Sequence, residues 1–298
     1  MNGQVAMSLS LYATASEIKA AAPDGIRATT TKYDALLLRL AKEASRFIDR
    51  HCRQVFYPEL GTRYFDGKGK TAVTIGSLLS LTSVEISQDG GLTYSAVTVD
   101  VDFRLTWWGD FNDPRSWSQL AIDPNGSQTA WPAGMRSVKV TGVWAYADER
   151  ATAWENSTDT VRDNPLTIGA TSLTVADADG PDQLGIAPRF QAGQLLRIES
   201  EFVYCSATDT ATNVLTIARA QNGTTAAAHA QSKQIDIWRP PEPVKQATAI
   251  QAVRLMERGF QGYGDARANV EMSQMVYLRA LDPEARALLE PYRILRAG

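Results

Sequence analysis

The hydrophobic period of this sequence changes along the chain, and that change limits the folds it can adopt. In residues 32–53 apolar side chains recur every three or four positions, whereas in residues 63–146 they alternate with polar ones. A repeat of 3.6 gives a helix one apolar face, and a repeat of two does the same for a strand. The helical repeat returns in residues 244–260. The pattern predicts a β-rich middle between helical ends.

The distribution of two residue types supports this division. All seven tryptophans lie between Trp107 and Trp238, and no threonine follows Thr248. Threonine and aromatic residues favour pleated surfaces, whereas Ala, Leu, Arg, Glu and Met favour helices.

Three predicted helices have recognisable start signals, which are Thr14 with Glu17, Thr31 with Asp34, and Asp282 with Pro283. A side-chain oxygen at the N-cap accepts a hydrogen bond from a free backbone N–H, and proline suits the first helical position. The first helix is predicted to stop at residues 23–25, the second before Pro58 and the last near Pro291. A glycine-rich joint is predicted at residues 259–264.

The β-rich middle divides into two parts. In the first, residues 67–69 and 89–91 are predicted hairpin turns, and residues 100–132 are predicted long loops anchored by tryptophans. Residues 148–165 are polar and without a period, which predicts a domain boundary. Beyond it, five short apolar runs predict a small all-β module: residues 172–175, 195–198, 202–205, 214–217 and 234–238.

Charge and composition exclude several classes of protein. With 30 Lys and Arg against 33 Asp and Glu, the net charge is −3, so a grip on DNA through many phosphate contacts is not expected, although brief contact remains open. Two cysteines and two histidines are too few for a disulfide framework or a structural zinc site. No apolar run of membrane-spanning length and no signal peptide is found, so we expect a soluble protein made in a cytosol.

Catalytic and metal-binding patterns are weak. His51 and Cys52 are adjacent on one helix and point in different directions, so they cannot hydrogen-bond directly. His229 is interpreted as an ordinary turn or capping residue. Residues 177–182 resemble a calcium loop but lack its distal glutamate, and we interpret them as a turn. We expect no enzyme, no cofactor and no metal.

Several motifs, taken in order, resemble the head–tail connector (adaptor) proteins of tailed bacteriophages. They are Phe56-Tyr57-Pro58, Arg63-Tyr64-Phe65-Asp66-Gly67, residues 83–94, Trp131-Pro132, and the end from Leu281-Asp282-Pro283 to Leu288-Leu289-Glu290-Pro291-Tyr292-Arg293. Residues 190–203 and 215–229 are also similar to a small β module that recurs in phage structural proteins. Ala220 departs from that module, where glycine is more usual after the arginine.

The resemblance implies an α+β fold. A helical connector body, made of the long N-terminal helix and the C-terminal helices with an antiparallel sheet, would carry an inserted small all-β domain. The implied domains are residues 1–160, 161–240 and 241–298.

The resemblance also implies a function in the virion neck, at the head–tail interface. Such a protein assembles in the bacterial cytoplasm as a ring, usually of twelve subunits, and binds beneath the portal protein. It extends the channel through which double-stranded DNA passes without specific binding, and it receives the next neck, stopper or tail protein. No membrane partner is implied. The candidate interaction surface is Leu288, Leu289, Tyr292 and Arg293, with Leu288 and Leu289 equally well interpreted as core residues.

Two alternatives remain open at this point. One is another phage structural component, from the tail or baseplate, which the β module also fits. The other is a carbohydrate-binding or carbohydrate-cleaving phage protein. It is motivated by Trp107, Trp108 and Trp117, which could stack on sugars, near the carboxylates of Asp100, Asp102, Asp110 and Asp113.

Overall fold

The computed structural model describes residues 11–22, 31–260, 266–269, 274–277 and 281–294. Within these residues the chain forms two compact units. The first contains Gln54–Ala153 and Asn222–Thr224, and the second contains the remainder.

The fold is mostly β, with 34% of residues in strands and 22% in helices. Its main elements are two antiparallel sheets of six strands each. The predicted helical connector body is therefore wrong. Short strands also form in residues 100–132, which we interpreted as loops, and in residues 148–165, which we interpreted as a boundary. The β structure therefore extends further than we predicted.

The first unit is built on one sheet. Its strands are β1 (Glu59–Gly67), β2 (Ala72–Ile86), β3 (Ser95–Val97), β4 (Phe103–Thr106), β5 (Trp117–Ile122) and β6 (Gly134–Trp144). Their order is β1-β6-β2-β5-β4, with β3 also paired to β2. A core that includes Phe103, Leu120, Trp131, Val138 and Trp144 covers the sheet. The loops predicted for residues 100–132 are thus partly wrong, since they contain β4 and β5.

The two predicted hairpin turns of this unit have different outcomes. Residues 89–91 lie in the connection between β2 and its antiparallel neighbour β3, as predicted, but that connection runs over residues 87–94 and is longer than a tight turn. Residues 67–69 do not form a hairpin, because β6 lies between β1 and β2. Gly67 is needed for another reason. A Cβ there would lie 1.8 Å from the carbonyl oxygen of Pro132, so only glycine allows this close approach.

The second unit contains the other six-stranded sheet. Its strands are β7 (Trp154–Thr160), β8 (Ser172–Thr174), β9 (Leu195–Ile198), β10 (Glu201–Asp209), β11 (Val214–Ala218) and β12 (Gln234–Trp238). They pair in the order β7-β12-β9-β10-β11-β8. All five predicted runs are confirmed as strands. β7 was missed, because its residues Glu155, Asn156 and Asp159 hide the strand in a polar segment.

The described helices belong to the same unit. They are α1 (Ala15–Ala21), α2 (Asp34–Cys52), α3 (Glu242–Phe260) and α4 (Pro283–Leu289), with short 3-10 turns at Thr31–Tyr33 and Glu290–Tyr292. Apolar side chains of α1, α2 and α3 form one buried cluster that includes Ile18, Leu37, Ala41 and Met256. A two-stranded ribbon, β13 (Ala266–Asn269) with β14 (Gln274–Tyr277), follows α3.

The helix start signals are confirmed at two of three sites. The Thr14 hydroxyl accepts from the backbone N–H of Glu17 at 3.2 Å, and the Glu17 carboxylate accepts from the N–H of Thr14 at 2.8 Å. Asp282 caps α4 by accepting from the N–H of Glu284 at 2.9 Å. The Thr31 cap is wrong, because a 3-10 turn precedes α2 and no side chain caps it. The predicted stop at residues 23–25 lies outside the described residues, as does the joint beyond Phe260.

Candidate functional site

The predicted interaction surface at the C-terminal end is split by burial. Leu289 is fully buried with Ala285 in the second unit, and its carbonyl oxygen lies 4.0 Å from the Cys52 thiol. Leu288, Tyr292 and Arg293 are half-buried. Arg293 pairs with Glu290 at 3.4 Å. Three of the four residues therefore retain exposed surface, whereas Leu289 belongs to the core.

The Ile294 N–H fixes the end of this segment by donating to the carbonyl oxygen of Cys52 at 2.9 Å. The helix α4 and the turn after it are therefore held against the C-terminal end of α2. The half-buried residues Leu288, Tyr292 and Arg293 therefore lie on a segment that is fixed against α2.

A buried ionic cluster lies in the β module. Glu201, at the start of β10, is fully buried. Arg219 holds it with two hydrogen bonds, from Nε to Oε1 at 2.8 Å and from Nη2 to Oε2 at 2.6 Å. The backbone N–H groups of Ala220 and Ala227 donate to the same carboxylate at 2.9 and 3.0 Å.

His229 completes this cluster. Its ring is 1% exposed, with Nδ1 2.8 Å from Glu199 Oε2 and Nε2 2.9 Å from Glu201 Oε2. A carboxylate only accepts hydrogen bonds, so the imidazolium form is the one that can donate to both partners. The interpretation of His229 as an ordinary turn or capping residue missed these two contacts. Nothing in the sequence links His229 to Glu199 and Glu201, because the contacts span 30 and 28 residues.

The cluster around Glu201 has a structural role. Burial opposes ionisation of Glu201, but the donors from Arg219, Ala227, Ala220 and His229 outweigh it and lower its pKa to about 2. Both carboxylate oxygens are fully used by donors of the same chain. The carboxylate therefore holds Arg219, Ala220, Ala227 and His229 against the β9–β10 hairpin.

Ala220 shows why glycine is more usual at its position. Its φ is +54°, in the left-handed region that L-residues avoid. The conformation brings the Ala220 N–H to Glu201, so the ionic cluster holds the strained backbone in place.

The tryptophans of the first unit are mostly covered by arginines. The Arg115 guanidinium lies 4.6 Å from the centre of the Trp107 ring, and that of Arg150 lies 4.4 Å from the centre of Trp117. Trp108, in contrast, is 62% exposed. One of the three rings that we considered for sugar stacking therefore presents an open face.

The carboxylates near these rings are engaged locally. Asp113 forms a two-pronged pair with Arg115 at 2.9 and 2.6 Å, and Asp102 accepts from the Ser127 hydroxyl at 2.6 Å. Asp110 accepts from the N–H of Asn112 at 2.9 Å. Nearby, Phe111 borders a cavity of about 240 Å³ that Arg104 and Asp123 also line. Arg104 and Asp123 form an ion pair of 2.7 Å, so their charges are already matched.

The calcium-like segment uses its carboxylates within the fold. Asp177 pairs with Arg189 at 3.2 Å and accepts from the N–H of Gly180 at 3.0 Å. Asp182 pairs with Arg239 and accepts from two backbone N–H groups. Among the described residues, no group of three His, Cys, Asp or Glu side chains is arranged to hold a metal ion.

Both cysteines are buried and free. Burial raises the pKa of the Cys52 thiol to about 12 and that of Cys205 to about 11, so both stay protonated at neutral pH. Within the part of the chain that the structure describes, no helix is both long and apolar enough to cross a membrane.

No protein-family model matches this chain, and no curated protein matches it.

Proposed function

We propose that this protein is a virion structural protein, a head–tail adaptor of a tailed bacteriophage. It would form a ring, usually of twelve subunits, beneath the portal protein in the virion neck. The ring would extend the DNA channel and offer an attachment surface to the next neck or tail protein.

The order of the motifs is the observation that carries this proposal. The run from Phe56-Tyr57-Pro58 through β1 to the Asp282-Pro283 start of α4 follows the connector order. Phe56 and Tyr57 are buried, so the first motif anchors the start of the first unit. The proposal rests on these motifs, and it keeps the β-rich architecture in place of a helical body.

The use of the buried charged residues supports a structural role. Glu201, Arg219 and His229 lie in the segments similar to the phage β module, and they hold a loop in place. Large apolar side chains are also exposed, including Leu92 (84%) and Trp108 (62%) on loops and Met135 (73%) in β6. Exposed side chains of this kind suit a subunit that contacts other proteins.

Electron cryomicroscopy of the purified protein mixed with its portal protein tests this function. A twelvefold ring seated on the portal is the expected result. A trimer or a sixfold ring would instead favour the tail or baseplate alternative. Failure to bind the portal in any stoichiometry would overturn the adaptor function.

A matched pair of variants tests the α4 surface. Leu288→Asp places a charge on the half-buried surface of α4, and Leu184→Asp makes the same change at a residue that is 69% exposed elsewhere in the second unit. We expect Leu288→Asp to weaken portal binding at least tenfold, with Leu184→Asp close to wild type. Equal binding by both variants would remove α4 from the docking surface.

A further inference from the structure

One face of α2 is exposed along the length of the helix and carries a row of arginines. Arg39, Arg46, Arg50 and Arg53 are all exposed, and Glu43 is the one exposed acidic residue among them. Their separations of seven, four and three residues place them on one helix face. At 1.5 Å per residue the row is about 21 Å long. We call these four residues the arginine row.

The opposite face of α2 explains why the row points outward. Leu37, Ala41, Ala44 and Ile48 are all buried, and their packing fixes the rotation of the helix. The arginine row therefore belongs to a fixed surface.

The arginine row holds four positive charges against the two acidic residues beside it, Glu43 and Asp49. Among the described residues, no carboxylate oxygen lies within 4.0 Å of the four guanidinium groups of the row. Arg46 and Arg50 are four residues apart, and Arg50 and Arg53 are three apart. Like charges at these spacings repel each other, and Glu43, four residues after Arg39 and three before Arg46, offsets part of that repulsion. The row therefore keeps a net positive charge that an external anion would match.

The surroundings of the row favour one kind of anion. No large apolar side chain of α2 is among the exposed hydrophobic residues, so this face lacks the apolar anchors found at the centre of protein interfaces. Guanidinium groups bind phosphates through two hydrogen bonds, and a DNA strand presents one phosphate about every 3.4 Å along its axis. A straight row of arginines suits a regular line of phosphates.

We propose that the arginine row of α2 binds the phosphate backbone of double-stranded DNA without sequence preference. The inference deepens the proposed function, since an adaptor ring surrounds DNA, but it concerns a contact that the isolated protein can make. Four phosphate contacts give weak, salt-sensitive binding, with a dissociation constant of about 10⁻⁴–10⁻⁶ M expected at physiological salt. Binding of this strength is compatible with DNA that must slide.

Fluorescence anisotropy with a labelled DNA duplex of arbitrary sequence tests the proposal on the full chain. For the wild type we expect a slope of log K against log salt of about −3.6, from four phosphates at about 0.9 each. Arg46→Glu combined with Arg50→Glu should weaken binding at least tenfold at low salt and reduce the magnitude of the slope by about 2. Circular dichroism should show that this exposed double variant is folded.

Lys68→Glu combined with Lys70→Glu is the matched control, because it makes the same charge change at two exposed lysines of the first unit. The control should bind DNA within about threefold of the wild type. Unchanged DNA binding in the α2 variant, or an equal loss in the control, would overturn the proposal. A wild type that binds polyglutamate as tightly as DNA would also overturn it and would indicate an acidic protein partner.

The two proposals can fail separately. DNA binding through α2 without a ring on the portal would contradict the adaptor function alone. A portal-bound ring whose α2 variant keeps full DNA affinity would contradict only the arginine row.

Discussion

Arg219 and Glu201 form a two-pronged ion pair inside the second unit, at 2.8 and 2.6 Å. The pair connects the segment after β11 to the first residue of β10. His229 adds a third side chain from the end of the same segment, with Nε2 2.9 Å from Glu201 Oε2. Hydrogen bonds to one buried carboxylate therefore fix the chain at Arg219–Ala220, after β11, and again at Ala227 and His229.

Replacing Glu201 by glutamine should strongly destabilise the second unit. The variant keeps the size of the side chain but leaves the Arg219 guanidinium, which is 7% exposed, without its counter-charge. We expect a loss of about 3–5 kcal/mol in the free energy of unfolding, measured by urea denaturation.

Lys233→Gln serves as the control for this variant. Lys233 pairs with Glu199, and both side chains are 44% exposed, so its loss should cost less than about 1 kcal/mol. Similar small losses in the two variants would show that burial does not strengthen the Arg219–Glu201 pair.

Ala220→Gly should stabilise the protein. Glycine adopts φ near +54° without the steric cost that alanine meets, and the N–H bond to Glu201 is retained. We expect a gain of about 0.5–1 kcal/mol, seen as a higher Tm in a thermal scan. Ala218→Gly, in the adjacent strand β11, should lower the Tm instead; a fall in both variants would contradict the strain argument.

Asp49 should make stability depend on pH. Burial raises its pKa from 3.8 to about 6, and this effect outweighs the Tyr12 hydroxyl that donates to Asp49 and the nearby charge of Arg46. The folded state then holds the proton more tightly than the unfolded state. The stability contributed by this group is complete below pH 3.8 and is lost as the pH rises through about 6.

Asp49→Asn removes this titration. Relative to wild type, the variant should gain stability progressively between pH 4 and 8, as followed by urea unfolding across that range. Tyr12→Phe is the companion variant, because it removes a donor to the Asp49 carboxylate. The stability of this variant should fall more steeply with rising pH than that of the wild type. Parallel pH profiles for wild type and Asp49→Asn would refute the assignment.

Shortening the side chains of Leu288 and Leu289 should show how much each one contributes to the core packing of α4. Leu289 is fully buried, so Leu289→Ala should cost about 2–5 kcal/mol of stability. Leu288 is half-buried, so Leu288→Ala should cost less than about 1.5 kcal/mol, in line with partial burial. Denaturation curves of the two variants give this comparison directly, and equal losses would mean that Leu288 is also a core residue.

Local signals in the sequence predicted local structure well. The capping box of Thr14 with Glu17 and the Asp282–Pro283 start of α4 both depend on neighbours within three residues, and both are confirmed. The five strands of the β module are confirmed for a similar reason, since alternation is a property of the strand itself. The strands β4, β5 and β7 were missed where polar residues and aromatic loops interrupt the alternation. Two local signals also failed, the Thr31 cap and the hairpin turn at residues 67–69.

The candidate sites divide in the same way. Period alone placed the buried face of α2. The Glu201 cluster was missed because its members are up to 30 residues apart, and only their pairing in space reveals it. The sequence also did not distinguish Leu289, which is buried, from Leu288, which is partly exposed.

The sequence by itself determined most of the segments that become helices and strands, because period, caps and turn residues act over a few positions. The tertiary structure alone decided how those segments are grouped. It placed β6 between β1 and β2, joined the helices to the second sheet, and brought Arg219 and His229 to Glu201. The physical reason is that strand order and buried ion pairs depend on contacts between residues far apart in the chain, whose free energies are set by burial and geometry and leave no periodic trace in the sequence.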